Sequence, residues 1–137
     1  MIIFAPEARG LEPLTEGESA LVSWFARNEP KVSDAVKAAL IEWCAPRSSD
    51  HARRFDLACA SASVRDEGDL KRKVGLHTVN IHQLSTGSIP YIGFEFGCEW
   101  DDHGVGVLMH GTRPVRIGHA DTAFLLWIAE QDAEQHR

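Results

Sequence analysis

The stretch Tyr91-Ile92-Gly93-Phe94-Glu95-Phe96-Gly97-Cys98 decides the fold. In an extended strand, successive side chains point to opposite faces. Ile92, Phe94, Phe96 and Cys98 therefore share one face, and Tyr91, Gly93, Glu95 and Gly97 share the other. A face so uniformly apolar predicts a strand packed against a core. Two glycines on the second face point to close approach by another backbone or by a partner.

Neighbouring segments extend this strand into a sheet. Leu76-His77-Thr78-Val79-Asn80-Ile81-His82 has strand composition, with β-branched Thr78, Val79 and Ile81. Thr86-Gly87-Ser88 supplies the turn between the two. Val105 to His110 predicts a third strand, Gly111-Thr112 a hairpin turn, and Arg113 to Ile117 a fourth strand. Eight of the 11 glycines and five of the seven histidines lie between residues 75 and 119. Glycines punctuating short apolar runs fit tight turns in a meander. A last helix is expected near Asp121, whose carboxylate can cap it, with Phe124, Leu125 and Ile128 inward and Trp127 at the margin.

The N-terminal part has helical periodicity instead. Thr15-Glu16-Gly17-Glu18 has the form of a capping box, in which residues 15 and 18 satisfy each other's backbone N–H groups. Leu21, Trp24 and Phe25 follow on one face. Asn28-Glu29-Pro30 breaks the pattern, and Val32, Val36, Leu40 and Trp43 resume it until Pro46. This predicts two helices forming an αα-hairpin. Residues 47–68 give no clear pattern, and Asp69 to Val74 reads as one helical turn with a solvated cationic face. The expected class is α+β: an N-terminal helical hairpin, an antiparallel β-meander of about four strands, and a C-terminal helix packed on the sheet.

Composition bounds the function. The 137 residues suit a single domain, 1–137, with the helical hairpin in 1–46 and the meander and last helix in 69–137. Net charge is −6, from 14 basic and 20 acidic residues. That argues against nucleic acid, which selects a positive footprint, and permits a basic partner. No apolar run approaches a membrane span. Met1 to Pro6 is too short, and lacks the basic flank, for a signal peptide. Cys44, Cys59 and Cys98 have no C-x-x-C spacing and read as reduced, mostly buried thiols in a cytoplasmic protein.

The run from Tyr91 through Glu99-Trp100-Asp101-Asp102-His103-Gly104-Val105-Gly106-Val107 to His110 closely resembles a bacterial family known as a domain of unknown function. The matching pattern is a G-F-E-F-G-C block, then W-D, H-G-x-G-V, a histidine, an arginine, and G-x-A-D-T before an apolar helix. Here these are Gly93 to Cys98, Trp100-Asp101, His103 to Val107, His110, Arg113 and Gly118 to Thr122. The family's V-x-I-H element corresponds to the strand ending at His82. Asp101-Asp102 runs straight into His103, one residue shorter than the family's loop. The resemblance implies bacterial origin and a small stand-alone domain, and it implies no established activity.

The residues able to bind or react are Glu95, Glu99, Trp100, Asp101, Asp102, His103, His110, Arg113 and Asp121. Trp100, flanked by acids in a glycine-bounded loop, has the makings of an interface anchor. There is no G-x-S-x-G elbow, phosphate-binding loop, dinucleotide fingerprint or H-E-x-x-H spacing. Cys98 shares the parity of Ile92 and Phe94, which turns it toward the core and away from nucleophilic work. No catalytic residue, metal ligand or cofactor is assigned. The leading expectation is a protein-interaction module. Its sharper form is an immunity protein neutralising a basic toxin, the product of a neighbouring gene. The rival is a metal-dependent or small-molecule enzyme using Glu95, Asp101, His103 and His110, with Glu95 and His110 meeting across the sheet. A third is self-association through the face bearing Gly93 and Gly97.

Overall fold

The computed structural model describes residues 2–4, 13–43, 68, 74–86, 89–98 and 101–135. Strands β1 (Ile2–Phe4), β2 (Val74–Thr86), β3 (Ile89–Cys98), β4 (Asp101–His110) and β5 (Arg113–His119) form one sheet in that order. β2 to β5 are antiparallel neighbours, and β1 adds to β2 in parallel. Helix α1 (Glu16–Trp43) covers one face. A 3-10 turn (Ala120–Ala123) and helix α2 (Leu126–Gln135) cover the other. The class is α+β, as expected, with a four-strand meander at its centre.

The expected αα-hairpin is instead one continuous helix of 28 residues that runs through Pro30. Phe25, Val32, Val36, Leu40 and Trp43 are all buried. The step from Phe25 to Val32 is seven residues, close to two helical turns, so the apolar stripes before and after the proline are in phase. A common buried face therefore outweighs the local break. Pro30 itself is exposed, where water can solvate the Ala26 carbonyl that proline leaves without a donor. Nearby, Asn28 Nδ2 donates to the Trp24 carbonyl at 2.8 Å. The capping box forms as read. Thr15 N–H donates to Glu18 Oε1 at 2.8 Å, and Glu18 N–H donates to Thr15 Oγ1 at 3.2 Å.

The β3 alternation holds. Ile92 and Phe94 join Val79, Ile81, Val105, Val107 and Met109 in the core under α1, with Phe96 and Cys98 at its margin. Phe25 of α1 meets Phe94 at a ring-centroid distance of 6.1 Å, tilted by 59°. Tyr91 and Leu108 lie on the opposite face with Ile128, Ala129 and Ala133 of α2.

Several boundaries differ from the reading of the sequence: β2 extends to Val74–Thr86, β3 begins at Ile89 and β5 reaches His119. β1 had no periodicity to announce it, being three residues long. β4 starts at Asp101 and not at Val105, because the backbone of Asp101 pairs with Cys98. The helix expected near Asp121 begins at Leu126. Asp121 instead lies in the 3-10 turn, where its carbonyl accepts the N–H groups of Phe124 and Leu125 at 3.1 Å each. The helical turn expected at Asp69 to Val74 lies outside the described residues up to 73, and Val74 opens β2. Residues 47–67 also lie outside them.

The β4–β5 hairpin turns through Gly111-Thr112, as expected, with Gly111 at φ 60°. Its two flanking residues, His110 and Arg113, are register partners. β5 is an edge strand, and it carries Pro114, Arg113 and Arg116, all exposed.

Candidate functional site

The face opposite α1 holds the polar chemistry of the sheet. Gly93 explains how that face is built. A Cβ there would sit 1.7 Å from the Ala123 carbonyl oxygen, so only glycine lets the 3-10 turn lie directly on the strands. Gly106 serves the same end, with a Cβ position 2.5 Å from the His119 carbonyl oxygen. The close backbone approach expected at Gly93 is thus made by the chain itself, which removes Gly93 from any self-association surface. Gly97 has open space around it. The seated turn is also bonded from below: His82, fully buried on β2, donates from Nε2 to the Ala123 carbonyl at 2.9 Å.

Beside the turn, α2 is fixed by a network of four side chains. Tyr91 from β3 is fully buried, and its hydroxyl donates to Asp132 Oδ2 at 2.7 Å. Arg113 from β5 donates to the same carboxylate through Nη2 at 2.6 Å and Nη1 at 3.4 Å. Asp132 is buried, whereas the Arg113 side chain is 42% exposed. The hydrogen bond to Asp132 raises the pKa of Arg113 further above its ordinary value, with burial opposing. His110 from β4 stacks on Tyr91 with ring centroids 4.4 Å apart and 13° between planes. Its Nδ1 lies 3.3 Å from Arg113 Nη2.

His110 and Arg113, both singled out as binding residues, are therefore brought together. They face inward to Tyr91 and Asp132. Glu95, half-buried on the same sheet face, accepts a hydrogen bond from the buried Asn80 at 2.8 Å. Glu95 and His110 do not meet. Their register partners, Gly106 and Tyr91, place them four residues apart along the strands, which is about 13 Å. That distance overturns the expected approach across the sheet. Asp121 is exposed beside His119, Ala120 and Phe124. The backbones of Asp101, Asp102 and His103 belong to β4, and their side chains, like Glu99 and Trp100, lie outside the described residues. Among the described residues no group of three histidine, cysteine, aspartate or glutamate side chains is placed to hold a metal ion.

The sequence did contain a signal for the network. Ile128, Ala129, Asp132 and Ala133 are the buried residues of α2, so a carboxylate sits on an apolar helix face. A charge in that position demands a buried cation or donors.

A second feature is an open groove of about 800 Å³ between α1 and β5. Ala35, Ala39, Trp43, Pro114, Arg116 and Ile117 line it, with Glu42 at the same wall. On the other side of β5, the Arg116 guanidinium lies 5.8 Å from the ring centre of Trp127, which is exposed on α2.

A family model described as a domain of unknown function, DUF6985, matches residues 2–125. The chain belongs to that family. The match takes in all five described strands of this DUF6985 protein and ends at Leu125, directly before α2. No curated protein and no solved structure matches it. Among the described residues, no helix of the DUF6985 protein is long and apolar enough to cross a membrane.

Proposed function

We propose that this DUF6985 protein is a bacterial, cytoplasmic protein-interaction module. The observation that carries the reading is an open groove on the α1 side of β5, apart from side chains that are bonded within the fold. Tyr91, Arg113 and Asp132 bond one another, and Glu95 bonds Asn80. The open groove between α1 and β5 is walled by Ala35, Ala38, Ala39, Trp43, Pro114 and Ile117, with Glu42 and Arg116 on the same walls. Such a groove offers a protein segment shape, apolar area and two opposite charges for orientation. Net charge of −6 selects a basic partner and speeds its approach. The partner class that suits these properties is a basic toxin acting on nucleic acid, with this protein as its immunity protein.

The test is co-expression with the product of the neighbouring gene. A stable complex, and rescue of cells that express that product, is the expected result. Absence of both overturns the reading. Ala38→Trp, which fills the groove, is expected to weaken the complex at least tenfold while melting stays within a few degrees. Charge reversal at Glu99, Asp101 and Asp102 is expected to slow association; an unchanged on-rate assigns recognition to the groove alone.

A further inference from the structure

We propose that α2 is held to the sheet by an acid-sensitive latch whose sensor is His110. A guanidinium has donors and no acceptor. The 3.3 Å contact between Arg113 Nη2 and His110 Nδ1 is therefore a hydrogen bond only while Nδ1 keeps its lone pair, that is, while the imidazole is neutral. Stacking on Tyr91 holds the ring in that orientation.

Among the described residues, the charged and titratable groups facing His110 come from three elements. Tyr91 of β3 is neutral, Arg113 of β5 is positive, and Asp132 of α2 is negative. The Asp132 carboxylate is already taken up by Arg113 and by the Tyr91 hydroxyl. A proton arriving on His110 removes the acceptor and sets an imidazolium against the guanidinium. Arg113 is the bridge between His110 and Asp132, so displacing it loosens the ion pair that fixes α2. Among the described residues, the apolar contacts of α2 come from Ile128, Ala129 and Ala133, packed with Tyr91, Leu108, Val115 and Leu125. The family match ends at Leu125, so the latch joins the shared fold to a segment beyond it.

The direction follows from proton counting. The released state exposes His110 as an ordinary imidazole, which takes up a proton near pH 6.5. The docked state binds fewer protons in that range. Docking is therefore complete above it and weakens as pH falls through it. Protonation of Asp132 opens the latch by a separate route at lower pH.

Amide hydrogen exchange tests the proposal on the intact protein. Protection of residues 129–135 is measured relative to Val107 and Leu108 of β4, corrected for intrinsic rates. Between about pH 7.5 and about pH 5 the wild-type ratio is expected to fall about tenfold. His110→Gln offers Arg113 an acceptor oxygen and does not titrate, and its ratio is expected to stay constant. A constant ratio in the wild type, or an equal fall in His110→Gln, overturns the proposal. Should that variant not fold, the wild type still decides. The NMR titration midpoint of His110 is expected to coincide with the loss of α2 protection, and a separation of more than about one pH unit refutes the latch.

Discussion

On the α1 side of the sheet, Ile81, Ile92, Val105, Val107 and Met109 stand between the strands and the helix. On the other side, Gly93 and Gly106 leave the strands bare, and the backbone of the 3-10 turn rests on them. The first cover is held by volume. Many apolar contacts share the load, and each is non-directional. The second is held by position. It needs a glycine under a particular carbonyl, a histidine under that carbonyl, and a carboxylate within reach of one tyrosine and one arginine. One sheet thus carries a tolerant face and an exacting one.

Truncation should act most strongly on the tolerant face. Ile92→Ala removes a fully buried side chain from the core under α1 and is expected to cost about 2–5 kcal/mol in chemical denaturation, with the cavity adding to the transfer loss. The exacting face is probed by the opposite change. Gly93→Ala sets a methyl 1.7 Å from the Ala123 carbonyl oxygen, so the 3-10 turn must move, and it is expected to cost about 3 kcal/mol or more. Gly97→Ala, on the same strand with open space around it, is expected to stay within about 0.5 kcal/mol of wild type. Equal losses at both glycines would erase the distinction between the two faces. Thr15→Ala, remote from both, removes one half of the capping box and is expected to lower stability by about 1 kcal/mol. A loss well above that would mean that the start of α1 is coupled to the sheet.

The two faces were also unequally legible. Ile92, Phe94 and Phe96 announced their strand because a period of two survives in any one-sided sheet. Thr15 and Glu18 announced the start of α1 because a capping box is local in sequence. Pro30 misled, since its cost is local while the common phase of Phe25 and Val32 is a property of the packed helix. The network on the other face is long-range. Tyr91 and Asp132 are 41 residues apart, and no spacing rule links them. His110 and Arg113 read in the sequence as residues for binding a partner, while their bonds to each other and to Asp132 became visible only with α2 in place.

The parallel pairing of β1 with β2 has a consequence for assembly. Ile2 finds Val79 only across a long stretch of chain, with all of α1 in between. Closing so long a span is slow compared with forming hairpins such as β4–β5. The meander should therefore arise first, and the opening residues should complete its rim as a late event. Until that pairing forms, the backbone amides of Ile2 to Phe4 must remain satisfied by solvent.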